Sequence, residues 1–229
     1  MRPLPSHPIH ELSTARPSAA QALQALGLDP ASKATLAQAC QAAGLSVLDT
    51  LRALEEAVPD WAPRSMEAWD QAPLQEVVDH LLTRHHTYAR SELARLDSLL
   101  GDCMARLGSR APAELDKVKA HFQHFRKDLE GHLDHEEQTV FPALLEGRAT
   151  EAAAWERQIS LEHAAVEELF QNIGTLLRHY EIPEGTDPGL RVLILGLRDL
   201  EEDLQMHLFM ENEVLFTPRS NAPAASPAG

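Results

Sequence analysis

Only four prolines fall between Pro73 and Pro218, at Pro112, Pro142, Pro183 and Pro188. Proline breaks or ends a helix, so their placement leaves four long windows, 74–111, 113–141, 143–182 and 189–217, open to continuous helix. The segments Gly108 to Pro112, Gly147 to Thr150 and Pro183 to Pro188 read as the turns, with Pro142 as a late kink in the second helix. Read at steps of three and four, each window carries one apolar stripe. The first runs Val78, Leu82, His86, Ala89, Leu93, Leu96, Leu100, Cys103, and the second Leu115, Val118, Phe122, Phe125, Leu129, His132, Glu136, Val140. The third runs Trp155, Ile159, His163, Val166, Phe170, Ile173, Leu177, Tyr180, and the fourth Leu190, Leu193, Leu197, Leu200, Leu204, His207, Glu211, Val214. Long amphipathic helices joined by short connections fold as an antiparallel up-down four-helix bundle. No alternating strand pattern persists anywhere, so the fold class is all-α.

Polar residues interrupt all four stripes. A single histidine on an apolar face is ordinarily a hydrogen-bonded core residue. Four imidazoles and two carboxylates in one core would each cost several kcal/mol unless they are paired or bind metal. Chain arithmetic places them together. From a reversal near residue 110, His86 lies 24 residues before and His132 and Glu136 lie 22 and 26 after. From a reversal near 185, His163 lies 22 before and His207 and Glu211 lie 22 and 26 after. Equal distance from a turn means equal height, because each residue rises about 1.5 Å. The halves also repeat: His132-Leu-x-x-Glu136-Glu-Gln-Thr-Val-Phe141 matches His207-Leu-x-x-Glu211-Asn-Glu-Val-Leu-Phe216. Two equivalent positions, each with His plus His-x3-Glu, describe a pair of metal ions. With no thiolate in the set, imidazole and carboxylate suit iron or manganese, and two shared carboxylates can bridge two ions.

The remaining composition narrows the function classes. A formal charge of −15, from 20 Lys and Arg against 35 Asp and Glu, speaks against a nucleic-acid or anionic-membrane surface. No run approaches the roughly 18–20 apolar residues of a membrane span. The opening MRPLPSHPIHELS has no apolar core behind its charge, so the expected location is the cytoplasm. Residues 1–17 and 218–229, rich in Pro, Ala and Ser, are expected to be disordered. Residues 18–58 read as a separate unit of three short helices, joined by a linker over 59–73 to the bundle of 74–217. Cys40 and Cys103 read as small apolar residues. His85 leaves the stripe and reads as a surface residue or a support for the site. His121, His124 and His135 read as solvated, and Glu162, Tyr88 and Tyr180 as possible supports of the histidines.

These motifs resemble hemerythrin-like cation-binding domains, and more closely the RIC (repair of iron centres) family of bacterial di-iron proteins. The matching segments are Val78-Asp-His-Leu-Leu-Thr-Arg-His-His86, His132-Leu-Asp-His-Glu-Glu-Gln-Thr-Val-Phe-Pro142, Leu161-Glu-His163 and His207-Leu-Phe-Met-Glu-Asn-Glu-Val-Leu-Phe216. The resemblance implies a non-haem di-iron centre with His86, His132, His163 and His207 as ligands and Glu136 and Glu211 bridging. It also implies a cytoplasmic role in nitrosative or oxidative stress, with damaged iron–sulfur proteins as partners. One departure stands out: where that family carries Cys-Cys-Gly-Gly, this chain reads Leu28-Asp-Pro-Ala-Ser-Lys33. The missing pair favours nitric oxide binding over cysteine-assisted repair. The alternative is a hemerythrin-like dioxygen carrier or sensor; an enzyme that turns over and a regulatory module remain further readings, and the oligomeric state stays open.

Overall fold

The computed structural model describes residues 7–58 and 66–216, together with Pro3 and Pro5. Among the described residues the fold is all-α, with one isolated bridge between Pro8 and Thr35. Four short helices come first: α1 (Ile9–Ala15), α2 (Pro17–Ala25), α3 (Leu36–Ala43) and α4 (Val47–Ala57). Helix α3 starts on a capping box, in which Thr35 accepts from the Gln38 amide and the Gln38 side chain accepts from Thr35, and it ends on Gly44 in the left-handed region. After α5 (Met66–Asp70), the bundle follows. Its first helix is α6 (Leu74–His80), a π turn (Leu81–His86) and α7 (Thr87–Leu107). The second is α8 (Leu115–His135), a π turn (Glu136–Val140) and α9 (Phe141–Leu145). The third is α10 (Ala149–Leu176), and the fourth is α11 (Pro188–Phe209) with a π turn (Met210–Leu215). Helix α7 packs on α8 and α11, and α10 packs on α8 and α11, so each bundle helix lies between two antiparallel neighbours.

The expected disorder before residue 18 is corrected. Ile9 and Leu12 are fully buried, and the Ile9 and Leu36 amides bond to Ala34 O and His7 O, so α1 closes the N-terminal unit as a fourth helix. That unit also shares one continuous core with the bundle instead of standing apart. Of the expected linker over 59–73, residues 66–70 form α5, while 59–65 lie outside the described residues, as do Thr217 and the expected tail 218–229. The third stripe also ends early: α10 stops at Leu176, and Arg178, His179 and Tyr180 form a left-handed turn with φ of 51, 56 and 62°.

At Gly196 the bundle is tight. A Cβ there would meet Arg95 Nη2 at 2.5 Å and Leu96 Cδ2 at 2.7 Å, so glycine lets α7 and α11 close around the Glu92–Arg95 ion pair. Gly196→Ala is expected to lower stability by about 1–3 kcal/mol, the usual cost of overpacking, read as a lower urea midpoint at unchanged slope.

Candidate metal centre

A small apolar cluster that includes Trp69, Leu81, Val140, Phe141, Ile159 and Met210 closes one end of the bundle, and the main core fills the rest. Between the two lies a polar layer. His86, His132, Glu136, His163, His207 and Glu211 are all buried, the two glutamates completely. Three of the six sit in π turns: His86 ends the first, Glu136 starts the second and Glu211 lies in the third. In two of the stripes the spacing fits this: Val78–Leu82–His86 and His132–Glu136–Val140 each take two consecutive steps of four, which overshoot a 3.6-residue period. The third π turn has no such pair, whereas Trp155–Ile159–His163 has one inside the unbroken α10. A π turn holds an extra residue and brings the stripe back onto the core, as in the bond from the Phe141 amide to Glu136 O.

The donors fall into two groups. His86, Glu136, His207 and Glu211 form one, and His132, Glu136, His163 and Glu211 the other, with the donor atoms of each group within 4.8 Å of one another. Both carboxylates belong to both groups. His207 Nε2 lies 2.7 Å from Glu211 Oε1 and 3.1 Å from His86 Nε2. His163 Nε2 lies 3.1 Å from Glu211 Oε2, and His132 Nε2 lies 3.4 Å from Glu136 Oε2.

Outer hydrogen bonds aim the rings. His86 Nδ1 donates to Glu137 Oε1 at 2.9 Å, His132 Nδ1 to Glu162 Oε2 at 3.0 Å, and His163 Nδ1 to Asn212 Oδ1 at 3.2 Å. With the proton on Nδ1, each Nε2 presents a lone pair inward. Glu137 and Asn212 are new relative to the sequence reading, yet a signal existed: each follows the glutamate of one repeat. Glu162 supports a histidine as expected. His85 is buried, not superficial. It donates to Asp203 Oδ2 across 3.2 Å and stacks on the His207 ring, with centroids 5.6 Å apart. Tyr88 lies buried against Arg84, and Tyr180 packs on Gly174, so neither phenol supports a ligand histidine. His124 is exposed and pairs with Asp128, while His121 and His135 are half-buried, so only His124 matches the solvated reading fully.

The electrostatics fit a cation. His132 Nε2, His163 Nε2, both oxygens of Glu136 and Glu211 Oε2 are buried without a hydrogen bond. Such atoms are costly unless an ion satisfies them. Burial, and then the Glu211 carboxylate, pushes the Glu136 carboxyl well above the usual range. Burial opposes the charge of Glu211, but the His207 imidazole, with His163 and His86, holds it well below. Burial presses His132 down to about 4, which keeps it neutral. A cation would draw Glu136 toward its charged form against that shift, because ligating groups bind deprotonated.

The family model for the hemerythrin HHE cation-binding domain matches residues 77–217. The chain belongs to that family. It is also similar to the iron-sulfur cluster repair protein YtfE of Yersinia pseudotuberculosis serotype IB (strain PB1/+), at 29% identity over 82% of this chain and 83% of the relative. YtfE of Yersinia pestis (strain Pestoides F) matches to the same extent. These matches span 188 residues, so they reach beyond the hemerythrin domain. At the place where the resembled family carries its cysteine pair, the stretch after α2 has no thiol. Cys40 is fully buried and donates to Thr50 Oγ1 at 3.4 Å, and burial raises its pKa, so it behaves as core. Among the described residues no helix is long and apolar enough to cross a membrane.

Proposed function

We propose that His86, His132, Glu136, His163, His207 and Glu211 hold two iron ions and that the protein binds nitric oxide in the cytoplasm, lowering its level or protecting iron centres under nitrosative and oxidative stress. The observation that carries the reading is the sharing of Glu136 and Glu211 by both donor groups, which suits two adjacent cations bridged by carboxylate. Two histidines and two shared carboxylates per ion leave room for a small ligand, and bound ferrous iron would supply open positions for a diatomic gas. The similarity to YtfE, whose name describes iron-sulfur cluster repair, makes iron–sulfur proteins the candidate partners. The absence of a cysteine pair after α2 favours gas binding over thiol-assisted repair.

Anaerobic titration of the reduced, iron-loaded protein with nitric oxide, followed by optical and EPR spectra, tests the reading. An iron-nitrosyl signal is expected, and its absence would refute nitric oxide binding. Stable, reversible oxygenation in air would point instead to a dioxygen carrier. Metal analysis of protein purified without added metal decides between iron and manganese.

The outer hydrogen bonds give a separate prediction. Glu162→Gln keeps the volume but turns the acceptor of His132 Nδ1–H into a neutral amide, which also lets the ring adopt the other tautomer. Affinity for iron at the His132–His163 position is expected to fall by roughly 10–100-fold, the usual effect of removing such a partner. Competition against a chromophoric chelator measures it; unchanged affinity would show that Glu162 does not orient the ring.

A further inference from the structure

One line of rings runs from the centre toward the surface. The His207 ring stacks on His85, nearly parallel at 10°, with centroids 5.6 Å apart. His85 meets His80 edge-on at 5.3 Å. His80 meets Trp69 at 4.5 Å. Trp69 is 7% exposed and sits on α5, while His80, at the end of α6, is half-buried. Every step is a direct ring contact, and the line ends on a side chain that is readily oxidised by one electron.

We propose that Trp69, His80 and His85 form a one-electron route leading out of the centre, with the Trp69 indole as its oxidisable end. The inference rests on the reading that His207 holds iron. The step balances with peroxide as oxidant when only one ferrous ion is present. Hydrogen peroxide would then take one electron from that ion, leaving it ferric, and one from the indole of Trp69. The O–O bond would break, the indole N–H would release its proton to solvent at the Trp69 end while one peroxide oxygen takes up a proton from solvent, and the net products would be one water, one hydroxide and a neutral indolyl radical. Tyr88 is a poorer terminus although it is closer in sequence. Its hydroxyl is fully buried and makes no hydrogen bond, so nothing takes the proton that phenol oxidation must release. Trp155 serves as an internal comparison. Among the described rings it meets His135, at 6.4 Å, and His135 is no member of either donor group.

The test loads the full-length protein anaerobically with one equivalent of ferrous iron, confirms its iron content, and adds hydrogen peroxide. EPR then follows the radical, and peptide mass spectrometry locates oxidised indole among Trp61, Trp69 and Trp155. Oxidation concentrated at Trp69 is expected, with none in metal-free protein. Trp69→Phe keeps an aromatic ring in the cluster and should lose the indolyl signal at unchanged iron content. His80→Leu, or His80→Gln if the leucine variant unfolds, should lose Trp69 oxidation although the indole is still present. Equal oxidation at all three tryptophans, or undiminished Trp69 oxidation in both His80 variants, would overturn the route. Failure of the wild type to bind iron would instead remove the centre on which the route depends, and the iron content reports that separately.

Discussion

Glu136→Gln is expected to leave a protein that holds one iron ion firmly and a second only weakly, with the magnetic coupling between them lost. In the proposed centre the Glu136 carboxylate faces both donor groups, so its negative charge offsets part of two cations at once. Charges held close together in a poorly polarisable core interact strongly, and removing the shared anion raises the cost of placing a second cation there. The same substitution should barely disturb the metal-free protein. Burial, and then the Glu211 carboxylate, push the Glu136 carboxyl well above its ordinary range, toward the uncharged form that the amide imitates. The contrast is visible in melting temperatures. At a metal concentration 1,000-fold above its dissociation constant, binding stabilises the folded state by about 4 kcal/mol. At about 2–4 °C per kcal/mol for a chain of this size, chelation should lower the wild-type midpoint by on the order of 10 °C. In Glu136→Gln much of that difference should vanish, while the metal-free midpoints agree. Glu168→Gln, on the exposed face of α10, serves as the control and should behave as wild type. Mössbauer spectra would decide the matter: an intact coupled pair in the Glu136 variant rules out a bridging role.

The bundle and the polar layer were legible because both arise from local periodicity. An apolar stripe reports which face is buried, and the distance of a residue from a helix reversal reports its height, so six residues could be brought to one level without coordinates. The π turns were harder to read. Two of the three coincide with paired four-residue steps, Val78–Leu82–His86 and His132–Glu136–Val140, but Trp155–Ile159–His163 takes the same steps within an unbroken helix, so spacing alone does not mark a π turn. Glu137 and Asn212 were missed because a residue next to a ligand points off the core stripe. They reach a neighbouring helix's histidine only because the bundle brings that ring alongside. Helix α1 escaped notice because Pro3, Pro5, Pro8 and Pro17 suggest an open chain, whereas the burial of Ile9 and Leu12 is decided by packing on α2 and by backbone bonds to Ser32 and Ala34. The union of the N-terminal helices with the bundle was invisible for the same reason. It rests in part on a carboxylate 151 to 153 positions from its partners, a distance over which periodicity carries no information.

That carboxylate, Asp199, is the clearest place to separate the two halves. It is 1% exposed on α11 and accepts from Ser46 Oγ at 2.8 Å, the Val47 amide at 2.9 Å and the Leu48 amide at 3.3 Å. It therefore meets the unpaired amides at the start of α4, where a negative charge also complements the helix dipole. Burial raises the carboxyl's pKa, and Ser46, Arg198 and the Leu48 amide pull it back. Asp199→Ala leaves the Val47 amide and the Ser46 hydroxyl with one acceptor fewer in a buried seam, at about 1–3 kcal/mol for each group left unsatisfied. Arg198 softens the loss, because it also reaches Asp49 and Glu202. The net expectation is a loss of about 2–4 kcal/mol, near the upper end for a single substitution. Hydrogen exchange should quicken across Val47–Ala57 while the amides of α8 and α10 stay protected, because the damage is confined to one docking contact. Iron content should not change, since Asp199 lies two turns from His207, about 12 Å along the helix. Unaltered exchange in α4 would show that apolar packing with α2 and α11 is enough to hold the N-terminal unit in place. Lost iron together with faster exchange would show instead that the docking of α4 and the geometry around His207 are one cooperative structure, with Asp203 and His85 lying between them.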